Sequence, residues 1–230
     1  MTFAARYEDP PRVWGVGRVV VPGADGAGTV VPWGVSEADV EDEAESLAPR
    51  LAALGLGDGD LVLIVSLLSQ AIHVVPLEKA AGKVGALYSS ADATPFDAFR
   101  TAALVRQLRP KVVIGVDTGV LDGLVDLGRD VADVFAPVAV VVASDAGAEA
   151  RLRDAGAATG RWVRVGATSA FRGPGEDGFA YDGSRWRVDE NAGELFLTNL
   201  VPRLTESERF RTGIRGRVLR PGRLEILMRF

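Results

Sequence analysis

Cysteine is absent from the 230 residues, so no disulfide frame, thiolate nucleophile or cysteine metal site can be built. Histidine occurs once, as His73, which excludes a multi-histidine metal centre and leaves imidazole acid–base chemistry without a second ring. Lysine is scarce: Lys79, Lys83 and Lys111 are the only three, and none follows Lys111. Long apolar runs are also missing. Runs such as Pro137 to Ala143 are far short of the roughly 20 residues that a helix needs to cross a bilayer. The opening MTFAARYEDPPR has no apolar signal core, so a cytoplasmic protein without membrane attachment is expected. With 26 basic against 31 acidic residues the net charge is -5, which argues against nucleic acid as the main partner.

What is present is core material. Hydrophobic residues make up 47% and charged residues 25%, an ordinary globular balance. Residues 1 to 34, rich in Pro, Gly and Trp, are read as an irregular arm with a strand or two around Arg18 to Pro22. Ser36 is a helix N-cap, with Asp39 three places on and acids through the first turns. That helix runs through Leu47, Leu51 and Leu54 and stops at Gly55. Asp58-Gly59-Asp60 reads as turn chemistry rather than a paired-carboxylate site. Leu61 to Leu68 is a continuous apolar run with β-branched residues, the mark of a strand buried on both faces. Helix, strand and helix follow over 69–85, 86–90 and 95–108. Lys111 to Val116 is a third strand and 119–134 has helical spacing. Val138 to Ala143, 148–155 and Trp162 to Val165 give strand, helix and strand.

This alternation predicts an α/β fold: a layered, mostly parallel sheet with helices on both faces. The pattern changes near Gly173. Residues 193–199, 215–219 and 223–228 read as short strands, with one helical turn at 205–209. Two parts are therefore expected, an α/β body over 1–172 and a small β-rich subdomain over 173–230.

Two stretches carry a resemblance. LAPRLAALGLGDGDLVLIVSLLSQAIHVVPLEKAAGKVGALYSSADATPFDAFRTAALVRQLRPKVVIGVD, from Leu47 to Asp117, has a helix ending in L-x-x-L-G, a G-D turn, a buried strand and a later R-P-x-V-V strand. GELFLTNLVPRLTESERFRTGIRGRVLRPGRLEILMRF, from Gly193, has four sub-motifs in order. Both resemble the adenylate-forming (AMP-binding) superfamily of acyl- and aryl-CoA synthetases and peptide-synthetase adenylation domains. The phenylacetate-CoA ligase branch is the most similar. Gly166-Ala167-Thr168-Ser169 sits where the family has Y-G-x-T-E, and Trp186 to Glu194 resembles the stretch that follows it.

The resemblance implies ATP, magnesium and CoA as cofactors, yet the residues that would hold them depart from the pattern. No Gly-rich phosphate loop ending in lysine is present to cradle a triphosphate. The magnesium glutamate is replaced by Ser169. The ribose-binding acid of R-T-G-D is Ile214, which accepts no hydrogen bond. The hinge into the family's lid domain would begin at Arg229-Phe230, so the lid and its lysine are expected to be missing. Terms of this kind are worth about 3 kcal/mol or more apiece in the transition state. No catalytic residue, metal site or independent adenylation activity is therefore expected.

The candidate ligand-binding residues are Gly166, Ala167, Thr168 and Ser169, which either contact a ligand or cap a turn, together with Arg211, Thr212 and Gly213 of the R-T-G segment. His73 is read as structural, and Glu176-Asp177 as part of a solvated loop. The arginines at 209, 211, 215, 217, 220, 223 and 229 form a solvated face or meet an anion such as CoA or a phosphopantetheine carrier. Trp14, Trp33, Trp162 and Trp186 are read as core or arm packing. Three functions remain open. One is a non-catalytic ligase homologue binding a partner protein or an acyl or aryl ligand. Another is a ligase-family enzyme completed by a partner that supplies the phosphate loop and lid. The last is a structural homodimer subunit. A homodimer, or a heteromer with a related ligase, is the expected assembly.

Overall fold

The computed structural model describes residues 15–22 and 28–229. Trp14, the leading MTFAARYEDPPR and Phe230 lie outside the described residues. β1 (Gly15–Pro22) and β2 (Gly28–Val35) form an antiparallel hairpin of their own, with Val19 opposite Val31. The apolar run at 18–22 belongs to its first strand.

The α/β body begins at α1 (Glu37–Ala53). Ser36 accepts from the amide of Asp39, whose carboxylate accepts from the amide of Ser36, a complete capping box. β3 (Leu61–Val65), α2 (Ala71–Lys83), β4 (Leu87–Ala91), α3 (Ala98–Leu108), β5 (Val112–Val116), α4 (Thr118–Asp126), α5 (Val131–Phe135), β6 (Val140–Ala143), α6 (Ala146–Asp154) and β7 (Thr159–Val165) follow. Strands β3 to β7 pair in parallel in the order β7-β6-β5-β3-β4. Alternate side chains of each strand go to opposite faces. Val62, Ile64, Val112 and Ile114 pack under α1 and α2 with Leu47, Leu51 and Leu77. Leu63, Val65, Val113 and Val141 pack under α3, α4 and α6 with Val105, Leu121 and Leu152. Both faces of β3, β5 and β6 are covered, which explains why these three strands read as apolar runs.

Beyond β7 the chain turns back. β8 (Thr168–Arg172), β9 (Phe179–Ala180), β10 (Trp186–Asn191), β11 (Glu194–Asn199), β12 (Phe210–Arg220) and β13 (Arg223–Arg229) are antiparallel and extend the same sheet in the order β8-β9-β13-β12-β11-β10. The switch from parallel to antiparallel pairing falls at the β7–β8 turn, a few residues before Gly173, and both parts belong to one sheet of eleven strands.

Two local expectations fail for identifiable reasons. The helical spacing over 119–134 is split into α4 and α5, because Gly128 turns to φ +67° and Asp130 starts a new helix by accepting from the amides of Ala132 and Asp133. The turn at 205–209 is not helical. Its backbone and hydroxyls are taken by neighbours: Ser207 N donates to Asn199 Oδ1, Arg209 N to Thr198 Oγ1, and Thr205 Oγ1 to the carbonyl of Gly34.

Candidate functional site

In an open parallel sheet, ligands favour the carboxyl ends of strands where the strand order reverses. The chain goes outward from β3 to β4 and returns to β5 on the other side, so the reversal lies between β3 and β5. Ser66 is buried at the end of β3, and Asp117 follows β5. Asp117 caps α4 by accepting from Val120 N at 2.8 Å. Burial pushes its carboxyl up, the Asp145 charge adds to this, and Arg164 opposes it. Asp145, after β6, is treated differently. Burial acts against its charge, but the amide of Ala148 and the amide and hydroxyl of Thr118 outweigh it and hold the carboxyl below its usual range.

The residues singled out from the sequence lie farther along the same sheet, at the β7–β8 turn, on β8 and on β12. Gly166 and Ala167 are the two-residue turn of the β7–β8 hairpin, with Gly166 at φ +61°. Thr168 and Ser169 open β8 and are buried. Thr168 Oγ1 donates to Glu43 Oε1 at 2.7 Å, and Ser169 Oγ lies 3.5 Å from His73 Nδ1. On β12, Arg211 is exposed and pairs with Glu194 at 2.6 Å. Thr212 is buried, its hydroxyl donating to the carbonyl of Leu195 and accepting from the amide of Ile214. Gly213 has φ +69°. The two segments meet through apolar atoms: a Cβ on Gly166 would lie 3.0 Å from Leu197 and 3.4 Å from Phe210. Ile214 joins the same cluster with Val165, Ala167, Leu195 and Leu197.

A polar centre that sequence reasoning missed sits beside this cluster. Glu43 of α1 is buried and holds four partners from three distant segments. Thr168 Oγ1 donates at 2.7 Å, Trp186 Nε1 at 3.1 Å, Arg203 Nη2 lies 3.4 Å away, and the backbone at Ser169 also contributes. Burial pushes the Glu43 carboxyl up, against the lowering effect of Arg203, Thr168 and Trp186. Arg203 also donates to Asp42 at 2.6 Å, and its guanidinium stacks 4.4 Å over the Trp186 ring. Arg185 completes the group, bridging Asp42 and Asp182. A cavity of about 20 Å³ lies among Trp33, Asp39, Glu43, Ala167, Trp186 and Arg203, room for one water. One signal was available: Glu43 shares the buried stripe of Val40, Ala44, Leu47 and Leu51, an acid where the helix period calls for an apolar residue.

No protein-family model and no curated protein matches the chain. Solved structures do. An open conformation of 2-hydroxyisobutyryl-CoA ligase, in complex with 2-HIB-AMP and CoA, superposes with a TM-score of 0.71 at 15% identity, covering 94% of this chain and 56% of that one. The N-terminal subdomain of Klebsiella oxytoca NpsA, in complex with 3-hydroxyanthranilyl-AMSN, gives 0.61 at 13% identity over 91% and 61% of the two chains. A variant of E. coli MenE with bound OSB-AMS gives 0.58 at 14% identity over 96% and 48%. The fold is that of adenylate-forming ligases. The chain spans about half the length of these ligases.

Within this ligase fold the remaining sequence candidates have plain surroundings. Asp60 accepts from Lys111 Nζ at 2.8 Å and from Gly57 N at 2.9 Å, and Gly59 turns at φ +76°, so the Asp58–Asp60 segment is a turn pinned to the next strand. His73 is buried 6.5 Å from the Trp162 ring centre, edge to face, besides its approach to Ser169. Glu176 accepts from Gly173 N and faces Arg223, which also donates to the carbonyl of Asp177. Of the C-terminal arginines, Arg209 lies over Phe196, Arg211 pairs with Glu194 and Arg217 with Glu225. Trp33, Trp162 and Trp186 are buried. Among the described residues no three His, Asp or Glu side chains are grouped to hold a metal ion, and no helix is long and apolar enough to cross a membrane.

Proposed function

We propose that this chain is a non-catalytic relative of the adenylate-forming ligases, kin to the phenylacetate-CoA ligase branch, that keeps their scaffold to bind a partner protein or an acyl or aryl ligand. The observation that carries this reading is the fate of the R-T-G-Ile segment. Ile214, standing where the resemblance implies a ribose-binding acid, is 3% exposed and packed among apolar side chains. Beside it the Thr212 hydroxyl is spent on the carbonyl of Leu195 and the Arg211 guanidinium on Glu194. Ser169, at the magnesium-acid position, faces His73 in the interior.

Pyrophosphate exchange with a panel of aryl and fatty acids is expected to stay at background, with no magnesium-dependent ATP binding by calorimetry. Ile214→Asp is expected to lose stability, because it places a carboxylate in the apolar cluster, and not to restore exchange. Carboxylate-dependent exchange by the isolated chain would overturn the reading. Exchange that arises only with a related ligase present would favour the partner-completed enzyme instead.

Self-association is supported by a separate observation. β4 is an edge strand with no charge, proline or bulge between Leu87 and Ala91, the devices that usually guard an edge. Leu87 lies on the α3 side and is 64% exposed; Tyr88 lies on the α1–α2 side and is 50% exposed. An antiparallel pairing of two β4 strands about a two-fold axis would cover both. Light scattering at micromolar concentration is expected to give twice the 24.3 kDa chain mass, and Leu87→Lys to give monomers. A monomer mass for the unaltered chain refutes the pairing.

A further inference from the structure

A cleft on the α3 side of the sheet lies away from both the β3–β5 reversal and the ligase-like segments. It holds about 490 Å³ between α3 and the connection from α4 to α5, within the range of small-ligand pockets. Its walls follow from helix periodicity. Val105 and Thr101 of α3 face the core, whereas Phe99, Ala102, Ala103 and Arg106 form a second stripe at i, i+3, i+4 and i+7 that faces the cleft. Leu127, Val134 and Pro137 stand opposite. Phe99 is 60% exposed, so the stripe has no covering element.

Three guanidinium groups line this half-polar trough: Arg106, Arg109 and Arg129. None forms an ion pair with another described residue, unlike Arg151 and Arg153 elsewhere on the surface. Two acids share the lining. Asp130 is committed to capping α5, where Oδ1 accepts from Ala132 N at 2.7 Å, which leaves Asp133 as the acid whose carboxylate has no hydrogen-bonded role. Three guanidinium groups against two carboxylates leave the lining net positive, and an anion placed beside the unpaired arginines forms charge-assisted bonds. The apolar walls select for the rest of the ligand.

We propose that this cleft binds a small amphiphilic anion, a carboxylate or phosphate carried on an apolar chain or ring. The site is distinct from the crevice between β3 and β5. Arg109 and Pro137 lie just before β5 and β6, at the amino ends of the strands, whereas Ser66 and Asp117 lie at the carboxyl ends. It is therefore independent of the reading of the ligase segments, and either can fail alone.

Titration calorimetry with decanoate, phenyl phosphate and neutral decanol tests it. Saturable binding of at least one anion is expected, weakened about tenfold or more in Arg106→Ala/Arg109→Ala, since a charge-assisted hydrogen bond is worth roughly 1.5–3 kcal/mol and about 1.4 kcal/mol is tenfold. Ala103→Trp, which fills the trough without removing a charge, is expected to abolish binding. All these positions lie on the cleft surface, and circular dichroism checks that the variants fold. Decanoate binding alone identifies a carboxylate site and phenyl phosphate binding alone a phosphate site; binding of both marks a general anion site. No saturable binding of either anion, equal binding of decanol, or binding unchanged in both variants overturns the proposal.

Discussion

Gly115→Ala is expected to cost about 2–5 kcal/mol of stability, combining roughly 1–2 kcal/mol for a non-glycine residue at positive φ with the roughly 1–3 kcal/mol of overpacking. Gly115 sits in β5 at φ +98°, where the register with β6 slips between Ile114 and Val116. A Cβ there would lie 2.1 Å from the carbonyl oxygen of Val65 and 3.5 Å from the Trp162 ring. The oxygen belongs to β3, a strand fixed by β4 on one side and β5 on the other, so it cannot retreat as a flexible side-chain end would. The alanine would wedge β3 from β5 at the reversal of strand order. Two glycines serve as comparisons. Gly128→Ala meets nothing within 4 Å but keeps φ +67°, so only the backbone strain remains, about 1–2 kcal/mol. Gly82→Ala, inside α2 with nothing within 4 Å, is expected to stabilise by about 0.5–1 kcal/mol. Urea midpoints measure all three. A Gly115→Ala cost no larger than that of Gly128→Ala would show that the two strands can part without penalty.

The features that could be read from the sequence are those decided within a few residues. The Ser36–Asp39 capping box, the turn at Asp58–Asp60 and the apolar runs of β3, β5 and β6 each carry their cause locally. The short strands β8 and β9 and the edge strand β10 do not. Phe171 and Ala180 pair across the loop at 173–178, and the Trp186–Asn191 strand acquires its role only from β11. The turn at 205–209 shows the same limit from the other side: its helix propensity is real, but Asn199, Thr198 and Gly34 supply competing hydrogen bonds from elsewhere in the chain. Around the candidate site the resemblance pointed to Gly166–Ser169 and Arg211–Gly213; Ala167 of the first and the neighbours of the second, Phe210 and Ile214, pack in one apolar cluster. What the resemblance could not convey is that Thr168 answers to Glu43, 125 residues earlier, and that Trp186 and Arg203 answer to it too.

Those long-range bonds make Arg203→Ala the second large effect, about 3–5 kcal/mol, the usual cost of removing one partner from a buried ion pair. The Arg203 side chain is 6% exposed and lies between Glu43, Asp42 and the Trp186 ring. Asp42 would retain Arg185 at 2.5 Å, so the loss falls on Glu43, left with two neutral side-chain donors. The pH dependence distinguishes this cause from simple loss of packing. Burial already raises the Glu43 carboxyl above its ordinary 4.5, and without Arg203 it rises further. A raised folded-state value means that the folded chain keeps a proton which the unfolded chain releases. Stability from this group is therefore present below pH 4.5 and lost as pH climbs through the folded value. The cost of Arg203→Ala should accordingly be larger at neutral pH than near pH 4.5, read as the difference between variant and parent so that other titrating groups cancel. Adding Glu43→Gln to Arg203→Ala removes the stranded charge and should recover stability at neutral pH, a coupling of about 1–3 kcal/mol between the two positions. Additive losses, with a cost that does not change with pH, would mean that Arg203 stabilises the fold by covering Trp186 and not by neutralising Glu43.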